Sequence, residues 1–321
     1  MIRLIDRDEV ARGLGYETCI RLVRRAMIAF SKGETLQLLR SIIPLGEGRL
    51  FGTMPGALAP DGPFGAKLIS VYQENFAKGL QSHQGLIVLF EPESGEPVCA
   101  VHAGEVTAIR TAAASAVATD ALARTDARRL AILGYGEQAA THARALVEVR
   151  DIESVVVWGR SRERAVTFCE RMTLELDVPF SAARDARAAV AEADIVCTVT
   201  AASEPILAGA WVRPGTHLNV VGSSYAGPRE VDDDLVVRAR FIADSRESVL
   251  RQGAEFLHAK AAGLIGDEHV VAEIGQVLAG DVEGRRSRDE ITLYKSLGHI
   301  VQDLVSAWAL YSASDDGVAR P

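Results

Sequence analysis

The sequence predicts an α/β protein of two domains, one built on a parallel sheet and the other of mixed α+β character. Three observations predict it. From residue 129 to about 245, short apolar runs alternate with stretches of helical periodicity, the pattern of strands joined by crossover helices. Ahead of that zone, several β-like runs lie between two helical segments. The chain also has 321 residues and 48% apolar side chains, enough for two cores.

Taken in order, residues 15–32 carry helical periodicity, and β-like runs follow at 37–45, 49–54, 64–72, 84–91 and 97–102. The last two flank Pro92-Glu93-Ser94-Gly95, a turn between apolar strands that reads as a hairpin. The alanine-rich stretch 105–123 predicts a helix whose small side chains permit close packing. Strands are expected at 129–133, 154–158, 194–199, 217–222 and 240–243, with helices at 136–149, 161–174 and 184–191. From about 246 the tail reads as helical: Ile291, Tyr294, Leu297, Ile300, Val301, Leu304, Val305 and Trp308 recur at helical spacing. The final segment, 314–321, reads as disordered.

Lysine and arginine number 35 against 43 acids, a net charge of −8. That argues against broad nucleic-acid affinity, which needs basic surface to displace counterions, but leaves room for a local basic pocket that takes an anionic metabolite. No run approaches the roughly 20 uninterrupted apolar residues of a membrane span. The N-terminus is charged within its first six residues and lacks an apolar signal core, so a soluble, cytoplasmic protein is expected. Cys19, Cys99, Cys169 and Cys197 are scattered and read as small buried hydrophobes rather than disulfides or ligands. The histidines form no HxH or HxxxH pair, so no metal is expected.

Gly134-x-Gly136-x-x-Ala139 follows one apolar strand and opens a helix. The first glycine allows a tight turn, the second lets a pyrophosphate approach the backbone, and Ala139 keeps helix and strand close. A lone motif of this kind also marks ordinary strand-to-helix turns. Its context favours dinucleotide binding, and with it a Rossmann domain. His142, one turn further, reads as a surface or packing residue. At the end of the next strand, where an acid would bind the ribose of NAD, stand Gly159, Arg160, Ser161 and Arg162. A guanidinium there suits a 2′-phosphate, so NADP(H) is expected and NAD less so. The other reading, a solvated helix start, suits Arg164 better than Arg160. Thr198 and Thr200 end another strand in a small-residue loop, either close to the nicotinamide end or an ordinary turn. The strand beginning at His217 breaks at Gly222 into a loop holding Ser223, Ser224, Tyr225, Gly227 and Pro228. Ligands sit at such carboxyl ends in open α/β sheets.

Six segments, in order over nearly the whole chain, resemble the ornithine cyclodeaminase/μ-crystallin family: GAKLISVYQEN (65–75), TAIRTAAASAVAT (107–119), ILGYGEQA (132–139), TVTAASEPIL (198–207), PGTHLNVVGSS (214–224) and ITLYKSLGHIVQD (291–303). The resemblance implies a homodimer. It implies a substrate and dimerisation domain of residues 1–115, completed by a C-terminal helix at 300–321, beside a Rossmann domain at 116–299. It implies that Arg40, Lys67 and Arg110 hold a substrate carboxylate, with Lys67 also near the reacting nitrogen. Thr111 would lie by the cofactor phosphates, and the cofactor set would include Gly134, Gly136, Gln138, Ala139, Gly159, Arg160, Ser161, Thr198, Thr200, Val221 and Ser223. From the residues alone, Arg40 and Lys67 read as surface charges. Arg110, in an apolar small-residue helix, needs a partner, and a structural salt bridge is its other reading.

Cyclodeaminases of the family place an aspartate in the pattern Gly-Gly-Asp-x-Pro-Gly, where this sequence has Ser224, as in the ketimine-reducing branch. Serine is a poor base at neutral pH and a poor partner for a second amine. The expected activity is therefore an NADP(H)-dependent reductase of small 2-imino carboxylates that gives L-amino acids, with Lys67, Arg110 and Ser224 as catalytic residues. The leading substrates are Δ1-pyrroline-2-carboxylate and Δ1-piperideine-2-carboxylate. The alternatives are an ornithine cyclodeaminase, an alanine dehydrogenase-type enzyme, and a non-catalytic protein that binds NADPH and a small ligand.

Overall fold

The first strand, β1 (Arg3–Ile5), leads into helix α1 (Arg7–Gly13). Asp6 caps that helix. Its carboxylate accepts from the Glu9 N–H at 2.9 Å, while Glu9 accepts from the Asp6 N–H at 3.1 Å. Helix α2 (Tyr16–Ser31) buries Cys19, Ile20, Val23, Ala26 and Met27 along one stripe. Strands β2 (Leu36–Gln37), β3 (Ser41–Gly46), β4 (Arg49–Ala57), β5 (Phe64–Val71), β6 (His83–Phe90) and β7 (Pro97–His102) follow. They form one sheet in the order β1-β7-β6-β5-β4-β2, with β3 also on β4; every pair is antiparallel except β1 with β7. Register places Met54, Lys67 and Ile87 abreast on the face that buries its side chains, and turns Leu68 and Leu86 to the other.

Helix α3 (Ala103–Leu122) follows, and then the alternating zone: β8 (Arg129–Leu133), α4 (Glu137–Val147), β9 (Ser154–Trp158), α5 (Arg162–Leu176), β10 (Phe180–Ala182), α6 (Ala186–Val190), β11 (Ile195–Thr198) and β12 (His217–Val220). It continues with α7 (Asp233–Arg238), β13 (Arg240–Ala243), α8 (Arg246–Gln252), α9 (Ala254–Ala261), β14 (Val270–Glu273), α10 (Ile274–Ala279) and β15 (Thr292–Lys295). Helix α11 (Ile300–Asp315) completes the chain. The second sheet is wholly parallel, in the order β10-β9-β8-β11-β12-β15-β13-β14. Strand order reverses between β8 and β11, the switch point at which such sheets bind ligands. The computed structural model describes residues 2–315. It forms two units, one of the residues through Arg110 together with those from His299 onward, the other Thr111–Gly298.

The expected helical tail is corrected at two places. Residues 270–273 and 292–295 are strands, and β15 lies in the interior of the sheet between β12 and β13 with all four side chains buried. A short strand buried on both faces has no two-residue alternation, so its apolar run extended the helical stripe that begins only at Ile300. Gly298, at φ 83°, stands between the two. The run at 37–45 divides into β2 and β3, and the strands expected to reach 199 and 222 end at Thr198 and Val220. Helix α11 takes in residues 314 and 315 of the tail expected to be disordered, and 316–321 lie outside the described residues. All four cysteines are free and buried. Among the described residues no helix is long and apolar enough to cross a membrane.

Candidate active site

Three cations gather in the first unit. Lys67 points from β5 into the packed face and is 2% exposed. Its ammonium donates to Asp303 Oδ1 of α11 at 3.0 Å. Arg110 of α3, also buried, donates from Nε to the same oxygen at 2.9 Å and from Nη1 to Gln302 Oε1 at 2.8 Å. Arg40 is half-buried between β2 and β3, and its charge acts on Lys67, His83 and His299.

Burial pushes Lys67 down to about 7; Asp303 pulls it up, and Arg110 and Arg40 push it further down. Burial also lowers His83 and His299 to about 4, so both are neutral near pH 7. Burial alone would raise Asp303, but Arg110 and Lys67 more than offset it and hold its carboxyl below the usual range. Lys67 and Arg110 thus share the single carboxylate of Asp303. Of the five N–H donors of Arg110, two are committed, and three have no partner among the described residues. An anion with two acceptor oxygens in a fork satisfies them. The sequence reading of Arg40 and Lys67 as surface charges fails for Lys67, whose period-2 position puts it inside.

In the second unit, β8 runs into Gly134 at φ 132°, whose N–H donates to Trp158 O at 2.8 Å. A Cβ there would come within 2.8 Å of Val199 O, so glycine lets the turn after β8 lie against the loop after β11. Gly136 caps α4 without any side-chain acceptor, which leaves the first-turn amides available to an anion. Ala139 is fully buried, and Gln138 Oε1 is buried without a hydrogen-bond partner. These features fit a dinucleotide pyrophosphate. His142 is a packing residue: Nε2 meets Ser115 Oγ at 2.9 Å and Nδ1 meets Gln138 O at 2.7 Å. At the end of β9, a Cβ on Gly159 would overlap the Tyr135 ring. Tyr135 Oη accepts from the Ser161 N–H at 3.4 Å, and Arg164 stacks 5.2 Å above the ring rather than standing free in solvent. Ser161 caps α5 by accepting from the Arg164 N–H, and Arg160 is exposed with no acid beside it in sequence.

The threonine hydroxyls after β11 turn to a buried carboxylate. Thr198 Oγ1 and Thr200 Oγ1 donate to Glu230 at 2.8 and 2.7 Å, and the same carboxylate accepts from the Thr200 and Gly222 N–H groups at 2.6 and 2.7 Å. Glu230 thereby ties the loop after β11 to the loop after β12. A buried carboxylate requires such donors. Burial raises Glu230 despite them. The Ser223 hydroxyl is engaged likewise: its Oγ donates to Glu255 Oε1 and accepts from Lys295 Nζ at 2.7 Å, and Lys295 pairs with Glu255 at 2.8 Å. Ser224 is half-buried in the following position, while Val221 and Thr111 are buried. The sequence reading missed Asp303, Gln302, Glu230, Glu255 and Lys295. A signal existed for Asp303 and Lys295, each a charge inside an apolar run that needs a partner.

The sequence profile of the ornithine cyclodeaminase/mu-crystallin family matches residues 3–317. Ketimine reductase mu-crystallin of Mus musculus is 36% identical over 296 residues, covering 91% of this chain and 90% of the mouse protein. Among solved structures, Thermococcus litoralis Δ1-pyrroline-2-carboxylate reductase in complex with NADH and L-proline matches at TM-score 0.95 and 34% identity, covering 100% of both chains. An archaeal alanine dehydrogenase dimer with bound NAD matches at TM-score 0.92 and 28% identity, covering 99% of this chain and 98% of that one.

Proposed function

The chain belongs to the ornithine cyclodeaminase/mu-crystallin family, and from that premise we propose that it is a nicotinamide-dependent reductase of small 2-imino carboxylates, yielding L-amino acids. Δ1-Pyrroline-2-carboxylate and Δ1-piperideine-2-carboxylate lead the substrates. The observation that carries this reading is the buried pair Lys67 and Arg110 on one oxygen of Asp303, with three Arg110 donors left over. Arg110 grips the substrate carboxylate through that open end, and Arg40 adds positive charge. Lys67 Nζ holds the proton that the substrate nitrogen takes, and near its midpoint of about 7 it can give that proton up and regain it. As the C=N carbon is reduced, the π pair moves onto nitrogen and the proton completes the amine.

A bound nicotinamide dinucleotide would supply the hydride. Gly134, Gly136, Gln138, Ala139 and the amides of α4 would hold its pyrophosphate, with Thr111 beside them. Gly159, Arg160 and Ser161 would meet the adenosine ribose, and a guanidinium without a neighbouring acid supports NADPH over NADH. The two solved relatives named above hold NADH and NAD, so the preference for NADPH rests on Arg160 of this chain. Val221 and the backbone of Ser223, at the carboxyl end of β12, would face the nicotinamide. Ser224 replaces a carboxylate with a hydroxyl that hydrogen-bonds the imine nitrogen or a water. The first unit is read as the substrate and dimerisation domain. Its outward sheet face exposes Ile43, Leu68 and Leu86 at 57, 38 and 41%, an apolar surface for a second copy. Free, buried cysteines accord with a cytoplasmic setting.

The test is NADPH and NADH oxidation by the full chain with a panel of cyclic imino acids, and with pyruvate plus ammonia. Turnover of a cyclic imino acid, with NADPH preferred, is expected. Ammonia release from ornithine with oxidised cofactor would instead place the protein with the cyclodeaminases, despite Ser224.

A further inference from the structure

Asp303 serves two cations with a single oxygen. Lys67 Nζ is 3.0 Å and Arg110 Nε 2.9 Å from Oδ1, although these side chains start from a strand and a helix far apart in sequence. Gln302, the residue before it, takes Arg110 Nη1 at 2.8 Å. Asp303 Oδ2 is buried and makes no hydrogen bond. Arginine–carboxylate pairs are frequently bidentate, two parallel N–H···O bonds in a fork. This one engages the side of the guanidinium and leaves its end, together with two of the three Lys67 donors, without partners among the described residues.

On the reductase reading above, we infer that Asp303 is a positioning residue: through Oδ1 it fixes the spacing of the Lys67 proton donor and the Arg110 carboxylate fork. Its charge matters as much as its place. The charges acting on Lys67 are Asp303 from α11, Arg110 from α3 and Arg40 between β2 and β3; the neutral His83 of β6 lies within the field of Lys67, Arg40 and Arg110, and His299 ahead of α11 within that of Asp303, Arg110 and Arg40. Among them only Asp303 favours the ammonium form, and it works against burial and two guanidinium groups. Asp303 is thus the charge that favours the proton on Lys67.

Two substitutions separate charge from position. Asp303→Asn removes the charge, and the descending limb of kcat/KM for imine reduction should move down by about 1–3 pH units, a loss of about tenfold per unit on the alkaline side. Asp303→Glu keeps the charge balance of the buried cluster but displaces the oxygen by one methylene. It should leave the limb in place and lower kcat/KM by about tenfold or more, chiefly through kcat. Cofactor affinity, measured by fluorescence quenching, should be unchanged in both. A wild-type protein inactive on every imino acid overturns the reductase reading itself. An active wild type whose Asn variant keeps the same limb, or whose Glu variant keeps wild-type kcat/KM, overturns the role of Asp303 alone. If the Asn variant does not fold, the Glu variant decides.

Discussion

Arg110→Lys keeps a positive charge in the pocket and reduces the donors from five to three. In the wild-type side chain, Nε and Nη1 are committed to Asp303 and Gln302, and three donors remain for a ligand carboxylate. Lysine must serve Asp303 first, because an unpaired buried carboxylate is the most costly outcome. A single point charge then meets the substrate where a fork had been. Losing one charge-assisted hydrogen bond costs about 1.5–3 kcal/mol, or roughly 10- to 150-fold in kcat/KM. Most of it should appear in KM, since the carboxylate is bound equally in ground and transition states. Gln302 Oε1 also loses its donor, which should lower stability by about 1–3 kcal/mol. The assay is initial rate against Δ1-pyrroline-2-carboxylate at saturating cofactor, with a urea melt alongside. A folded variant with kcat/KM within about threefold of wild type would refute the fork and the carboxylate assignment together.

The pH dependence follows from Lys67, lowered to about 7. Reduction consumes the ammonium form, so kcat/KM for imine reduction should hold below about 7 and fall above it, while oxidation of L-proline should rise through the same range. Lys67→Met should abolish both, and a profile flat across neutrality would remove Lys67 from proton transfer. Arg160→Ala should raise KM for NADPH by about 10- to 150-fold and leave NADH nearly unaffected; equal loss for both cofactors would count against a 2′-phosphate contact. Lys295→Met leaves Glu255 buried without its cation, and should cost about 3–5 kcal/mol in urea unfolding. An unchanged midpoint would show that Ser223 and the backbone suffice to hold Glu255.

Patterns within a few residues of one another carried most of the fold class. Strands 129–133, 154–158 and 240–243 coincide with β8, β9 and β13, because buried apolar runs bounded by turn residues announce themselves locally. The Gly134 turn was equally legible, since its positive φ demands a residue without a Cβ. Where the same local logic was applied to 291–308, it merged a buried strand with a helix. Apolar side chains of both fall on one helical spacing, and only the neighbouring strands β12 and β13 decide between them.

The sequence by itself determined which residue types could do chemistry: a glycine turn for phosphates, a guanidinium where an acid would mark NAD, a serine where a diamine would need a carboxylate. Tertiary structure alone decided which partners they have. Arg110 and Lys67 meet Asp303 across 193 and 236 residues, and no periodicity encodes a pairing at that separation. Thr198 and Ser223 looked open to a ligand, yet their hydroxyls face Glu230 and Glu255. Burial is the physical reason in each case. A charge taken out of water must be matched by opposite charge or donors wherever the chain can bring them, and that match is made in three dimensions.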